Sequence, residues 1–295
     1  MKIVLAENFR AVFYAPFYAA YALGEFKKRG VEISFVESSS PGSAIAAMYA
    51  GDVDVVWGGP LRAIKLRDEK APPDKALLAF CEVVGKDPFF VVARKAIKSF
   101  DFSDLLKGKL GVVSEVPTPW LCLQEDFRDA GVELDRIDVV PDKSMAENLA
   151  ALDAGEINSA QFFEPYVSMA ESQGSGTVVY AAASRGLTAY TTFLSTAQSI
   201  EKNRDGFTCM TTAIEAIRDW ISSTPPAEIV KVVQKFYPHV ATDLMEMSMA
   251  RYQRLGLWTC ERKVSEVGFN RLRQSMLHGG FISSEPSYES CVILL

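Results

Sequence analysis

The segment Phe162-Phe163-Glu164-Pro165-Tyr166 sets one carboxylate among three aromatic rings. A carboxylate accepts hydrogen bonds from an amine or a ring N–H. Aromatic walls carrying few polar groups are the common composition of a small-molecule site. The same acid also reads as a solvent-facing loop charge, and residue types alone leave both readings open. Phe13 and Tyr14 form a second aromatic pair, in the loop that follows the first strand-like run. Trp57-Gly58-Gly59-Pro60 joins a flat apolar surface to two residues without a side chain. Such a loop lets the backbone come close to a bound molecule; the other reading is a buried tryptophan beside a tight turn. Ser38, Ser39 and Ser40 precede one helical stretch, and Ser114, Thr118 and Trp120 stand at the start of another. Hydroxyls and free N–H groups at two facing helix starts would hold a carboxylate, sulfonate or phosphate. Plain N-capping uses the same residues. Asp87 and Phe89 are secondary candidates.

Catalytic chemistry has less to work with. The two histidines, His239 and His278, fall in the C-terminal helical region, outside the predicted binding loops. No Cys–His or Ser–His pairing is visible among those loops. Cys122 lies near a helix start, which lowers a thiol pKa, but a cysteine on a helix more often points into the core. No catalytic residue, metal ligand or cofactor motif is assigned, and the reading leans away from an enzyme.

The chain has 295 residues, with 48% hydrophobic and 23% charged, which suits one large globular domain or two ordinary ones. A net charge of −6 without a basic run speaks against a nucleic-acid partner. No stretch of about 18 apolar residues is present, so no membrane insertion is expected. The N-terminal apolar run, Ile3 to Ala6, is shorter than the roughly 7–15 residues of a secretory leader. The expected location is cytoplasmic as the sequence stands, or periplasmic if a leader has been removed. Cys81, Cys122, Cys209, Cys260 and Cys291 are scattered without a CxxC, which weakly favours a reducing compartment. In the ending SCVILL the cysteine is one place too early for a prenylation box, because Val292 is fourth from the end. The ending reads as an apolar tail.

The elements that would position these residues alternate. KIVLA reads as a strand, Pro16 to Arg29 as a helix stopped by Gly30, VEISFVE as a strand, the run after the serines as a helix stopped by Gly51, and DVDVVWGG as a strand. KLGVVS, PTPWLCLQEDFRDAG, IDVVP, SMAENLAALDAGEI and INSAQFFEPY repeat the order, with Ser144 and Glu147 at capping-box spacing. MYAGDVDVVWGGP and LDAGEINSAQFFEP are the matching ends, so two similar α/β lobes are predicted. Two extended pairs, ALLAFCEVVGKDPFFVVARK and TVVYAAASRGLTAYTTFLSTAQSI, leave the first lobe and return to it. From about Thr208 onward the pattern is helical, and those helices are expected to pack on the first lobe.

This order of elements, with FYAPFYAAYALGEFKKRGVEISFVE, AGDVDVVWGGP and AGEINSAQFFEPY, resembles the periplasmic binding protein-like type II fold. More closely it resembles the SsuA/THI5-like (NMT1/THI5) substrate-binding proteins of ABC importers. The resemblance covers about residues 1–220. It implies an α/β fold of two lobes, two parallel-core sheets joined by two hinge strands, with a helical C-terminal region. Residues 1–84 with 190–295 would form lobe 1 and residues 89–184 lobe 2, the hinge crossings lying near 85–89 and 184–190. It further implies hinge closure on a small organic ligand, with an ABC permease as partner. That ligand would be a heteroaromatic or amine such as a pyrimidine, or a sulfonate or carboxylate. Pyrimidine binders of the family use acidic and aromatic groups, which favours Glu164. The alternative is a cytoplasmic enzyme or sensor on the same fold, akin to the pyrimidine synthase or a desulfinase, although the cysteine-rich stretch of that synthase is absent. Independently of the family, loops at the carboxyl ends of parallel strands line the crevice of such sheets.

Overall fold

The computed structural model describes residues 1–7, 9–38 and 40–295, and the backbone alone at Pro41. The first half of the first lobe runs β1 (Lys2–Ala6), α1 (Ala15–Ala22), α2 (Glu25–Lys28), β2 (Glu32–Val36), α3 (Pro41–Ala50), β3 (Val55–Gly58), α4 (Leu61–Asp68) and β4 (Leu77–Val84). The second lobe follows with β5 (Phe90–Ala93), β6 (Leu110–Val113), α5 (Thr118–Asp129), β7 (Val139–Lys143), α6 (Met145–Ala154), β8 (Ser159–Phe162), α7 (Tyr166–Gln173) and β9 (Thr177–Ala181). The chain then returns as β10 (Thr191–Thr196), α8 (Ala197–Ser223), α9 (Pro226–Val233), α10 (Thr242–Arg254), β11 (Trp258–Glu261), α11 (Glu266–His278) and α12 (Tyr288–Cys291).

Local chemistry sets many of these limits. Ser40 caps α3 by accepting the Ser43 N–H at 3.2 Å, and Gly51 ends the helix at φ 84°. Ser144 and Glu147 cap α6 reciprocally. The single helix predicted from Pro16 to Arg29 is instead two, because Gly24 takes φ 71° between α1 and α2. The long helix begins at Ala197 rather than near Thr208, with Thr196 Oγ1 accepting the Ser199 N–H at 3.2 Å.

The two sheets share a plan. Their strand orders are β11-β4-β10-β3-β1-β2 and β7-β6-β8-β5-β9. In the first, β2, β1 and β3 are parallel, and β10, β4 and β11 extend the sheet by antiparallel pairing. In the second, β7, β6 and β8 are parallel, while β5 and β9 extend it in the same antiparallel manner. The parallel strands are linked by helical crossovers, as alternation requires.

The chain leaves the first sheet after Val84 and enters the second at Phe90; it goes back between Ala181 and Thr191. A buried ionic cluster ties these crossings. Arg185 donates to Asp87 at 2.7 Å and to Asp126 at 2.8 Å, and Tyr180 donates to Asp126 at 3.0 Å. The C-terminal helices make contacts with elements of the first sheet's lobe, and two of them also reach the second. Arg251 on α10 pairs with Glu164 at 2.6 Å, and on α11 His278 meets Glu125 at 2.9 Å. β11, which has only four residues, was not foreseen from periodicity. The tail packs beside β4, where the Ile293 N–H donates to the Ala79 carbonyl at 3.0 Å.

Candidate functional site

The loops at the carboxyl ends of the parallel strands converge on a cleft of about 700 Å³ between the lobes. The first lobe supplies Phe9 to Val12 after β1 and Ser40 after β2. The second supplies Glu115 and Val116 after β6, Met145 after β7, and Phe163, Pro165 and Tyr166 after β8. The connection from α9 to α10, residues 236–240, closes one side. This is the position that strand topology favours for a ligand. Another groove, of about 650 Å³, lies by Tyr21, Lys27, Glu32 and Lys235 at the amino end of β2, away from those strand ends.

Aromatic rings meet across the cleft. The Phe9 and Phe163 rings stack at 6.4 Å and 27°, and Tyr166 stands edge-on to Phe163 at 6.3 Å. Behind them, Phe13 and Phe89 each set an edge against Phe163 at 5.2 Å. Phe13 and Phe89 are buried, so they support the wall rather than line it. Tyr14 is also buried, with its ring 5.8 Å from Trp57.

Several expected site residues are placed elsewhere by packing. Trp57 is fully buried and stacks on Phe17 at 4.5 Å and 17°, one layer beneath the cleft surface. The Gly58 carbonyl accepts from the Thr192 hydroxyl at 3.3 Å, within the sheet. A Cβ at Gly59 would stand 3.2 Å from the Tyr190 carbonyl. The close approach that the glycine permits is therefore made by the returning crossing strand. Ser38 bonds to the Ser40 carbonyl at 2.8 Å and to the Ser43 hydroxyl at 2.7 Å. Ser39 lies outside the described residues. Of the serines in that loop, Ser40 lines the cleft. Ser114 is exposed, Thr118 opens α5, and Trp120 packs toward Phe127 at 6.4 Å in the second lobe's own core; none of the three lines the cleft.

Glu164 departs most from expectation. It is buried, and its carboxylate accepts from Arg251 Nε at 2.6 Å, the Ser168 N–H at 3.0 Å and the Ser248 hydroxyl at 3.3 Å. These donors come from α7 and α10, so the acid joins the second lobe to a C-terminal helix and does not line the cleft. Asp87 is likewise engaged, by Arg185 and by the Phe89 N–H at 2.9 Å.

The charged groups that do line the cleft are Arg10 and Glu115, with His239 exposed at its mouth. Sequence position puts His239 outside the binding loops; the α9–α10 connection carries it to the cleft. Arg10 donates to Glu7 at 2.9 Å, to Glu37 at 2.7 Å and to the Phe236 carbonyl at 3.1 Å. Burial works against this cation, but its hydrogen bonds to Glu7 and Glu37 outweigh that and hold it protonated. Glu115 accepts the Met145 N–H at 2.9 Å. Tyr166 has its pKa raised, first by burial and then by the charge of Glu115. Phe9, Arg10 and Glu115 lie in loops that the sequence marks as cleft-facing, though nothing singles out these residues. Residues 236–240 carry no local signal, because only the tertiary fold brings them more than 220 positions back to the first loop. Among the described residues, no group of three or more His, Cys, Asp or Glu is placed to hold a metal ion.

The chain is 24% identical over 298 aligned positions to YtlA of Bacillus subtilis, named as a binding protein; the match covers 99% of this chain and 87% of that one. Its fold superimposes on the periplasmic aliphatic sulphonate binding protein SsuA of Escherichia coli with a TM-score of 0.75 at 15% identity, covering 96% of this chain and 94% of SsuA. The ligand-binding component of an ABC-type import system from Staphylococcus aureus, solved with zinc bound, gives 0.73 at 13% identity, with 100% and 97% covered. The two sheets of shared plan thus form a periplasmic binding protein-like fold. The family model described as NMT1-like matches residues 9–235, and this chain belongs to the NMT1-like family.

Proposed function

We propose that this protein is the solute-binding component of an ABC-type importer and that its two lobes close on a small aromatic or amine-bearing molecule. The observation that carries this reading is the cleft of about 700 Å³ whose walls come from strand ends of both sheets. A ligand touching both lobes stabilises the closed form over any open one, which is how hinge closure is selected. The names of the similar proteins support the same role. On this reading the protein meets its ligand outside the cytoplasmic membrane and presents it to a permease. An enzymatic role has no comparable support. Among the described residues no serine or cysteine hydrogen-bonds His239. Burial pushes the Cys122 thiol up to about 12, far from an activated nucleophile.

The test is mass spectrometry of small molecules released on denaturing freshly purified protein, followed by calorimetric titration of the molecule found. One intact compound per chain is expected, and Phe163→Ala should weaken its binding by about 1–3 kcal/mol. A released compound that the protein converts in solution, or an unchanged affinity in Phe163→Ala, refutes the assignment.

A further inference from the structure

We infer that the open edge of the first sheet is a self-association surface, on which β2 pairs antiparallel with β2 of a second copy of this chain across a two-fold axis at Ser34.

β2 ends the first sheet and pairs with β1 alone. The Glu32 N–H donates to the Met1 carbonyl at 2.8 Å, and the Val36 carbonyl accepts the Glu7 N–H at 3.1 Å. Strand alternation then turns the backbone groups of Ser34 toward β1 as well, and those of Ile33 and Phe35 out of the sheet. Outward N–H and C=O groups are a template for another strand, and chains blunt such edges with proline, bulges or cover. The other three edge strands are blunted in these ways. β7 carries Pro141 and a register shift. β11 is irregular against β4, with Cys260 at φ 47°. At β9 the register shifts against β5, and the Val178 N–H donates to the Glu171 carboxylate at 3.5 Å. β2 runs five residues in unbroken register, without proline or glycine.

The side chains around this edge fit a second copy. With Ser34 on the axis, Ile33 of one copy stands opposite Phe35 of the other, and each of the two such pairs exchanges both of its backbone hydrogen bonds. Ile33 and Phe35 share the face of the strand that borders the groove of about 650 Å³, so the added strand lays its own Ile33 and Phe35 along that groove. Of the six large hydrophobic side chains exposed among the described residues, Met1, Tyr21 and Val36 flank β2, and pairing covers them. The charges are complementary too. Lys27 and Lys235 line the groove beside Val31; neither forms an ion pair among the described residues, and Lys235 rests over the Phe236 ring at 5.1 Å. In the antiparallel arrangement the position opposite Val31 is Glu37 of the second copy. Glu37 is exposed and gives one oxygen to Arg10, which leaves the other for these lysines. The two-fold axis repeats this pairing at the other end, as an isologous interface requires.

Sedimentation velocity of the full chain over a micromolar concentration series should show a reversible monomer–dimer equilibrium. Ser34 is exposed and its side chain makes no hydrogen bond among the described residues, so Ser34→Lys and Ser34→Asp leave the fold intact. Each variant alone sets like charges face to face on the axis and should dimerise at least about tenfold more weakly than the wild type. An equimolar mixture of the two should regain the wild-type dimer fraction. A wild-type chain that stays monomeric throughout the series overturns the inference. So does a dimer that both variants leave intact, or a mixture that stays as monomeric as its components. Ser34→Cys gives a second readout. Residues meeting on the axis in a non-hydrogen-bonded pair have Cα atoms about 4.5 Å apart, within reach of a disulfide. Mild oxidation should therefore cross-link two chains through residue 34, as peptide mass spectrometry identifies, and a dimeric sample that forms no such link overturns this pairing.

Discussion

Glu82 lies on β4 with 1% of its surface exposed and, among the described residues, no cation within ion-pair distance. Its carboxylate accepts from the Thr259 hydroxyl at 3.1 Å and from the Ser265 N–H at 3.1 Å. Burial outweighs these two hydrogen bonds, Glu261 adds a like charge, and the side chain's pKa is pushed up from 4.5 to about 7. The folded protein therefore holds this proton more tightly than the unfolded chain does. The resulting stabilisation is complete below pH 4.5, fades as pH rises through about 7, and is absent above it. The displacement corresponds to about 3 kcal/mol. Glu82→Gln keeps an acceptor oxygen and never charges. It should match the wild type near the acid end of the window and exceed it by up to about 3 kcal/mol at a pH of about 8. For a chain of 295 residues, the unfolding entropy converts this into a Tm gap of roughly 5 °C. Scanning calorimetry of both proteins at the two ends of the window measures it. A gap that does not grow with pH, or a variant that melts below the wild type at the alkaline end, refutes the reasoning.

Three other perturbations test the packing. Arg251→Met strands the buried Glu164 carboxylate and should cost about 3–5 kcal/mol, with much of the loss recovered in Arg251→Met/Glu164→Gln; urea midpoints of the single and double variants decide. Trp57→Ala empties a fully buried site between Phe17 and Tyr18 and should lower stability by about 3–5 kcal/mol. Ligand affinity at a temperature where the variant stays folded should change little, and a large loss would return Trp57 to the cleft. Gly268→Ala puts a Cβ 2.7 Å from the Ala189 backbone nitrogen, where α11 crosses the returning strand, and should cost about 1–3 kcal/mol in a thermal melt.

The alternation of strands and helices was open to sequence reasoning because each element carries its own signal. β-branched runs mark strands, Ser144 with Glu147 marks a helix start, and Gly51 marks a helix stop. Elements whose signal is weak or interrupted are not legible in this way. Gly24 divides a helix that periodicity joins, and the four residues of β11 are too few to show alternation. At the candidate site, the loops were predictable from strand topology, and Ser40, Phe163 and Tyr166 do line the cleft. Which other side chains face it was not predictable. Glu164 and Trp57 carry the right chemistry in the right loops, yet Arg251 and the ring of Phe17 claim them.

By itself, then, the sequence determines the two repeated α/β units, the edge of the sheets whose loops line the cleft, and the aromatic residues in those loops. These follow from interactions between neighbours along the chain: hydrophobic period, caps and turns. Only the tertiary structure decides that Glu115 rather than Glu164 is the acid facing the cleft, that Arg10 is neutralised, and that residues 236–240 close one side. A carboxylate's role depends on whether a cation reaches it. For Glu164 that cation comes from a helix 87 positions further along the chain, a distance over which no local pattern carries information.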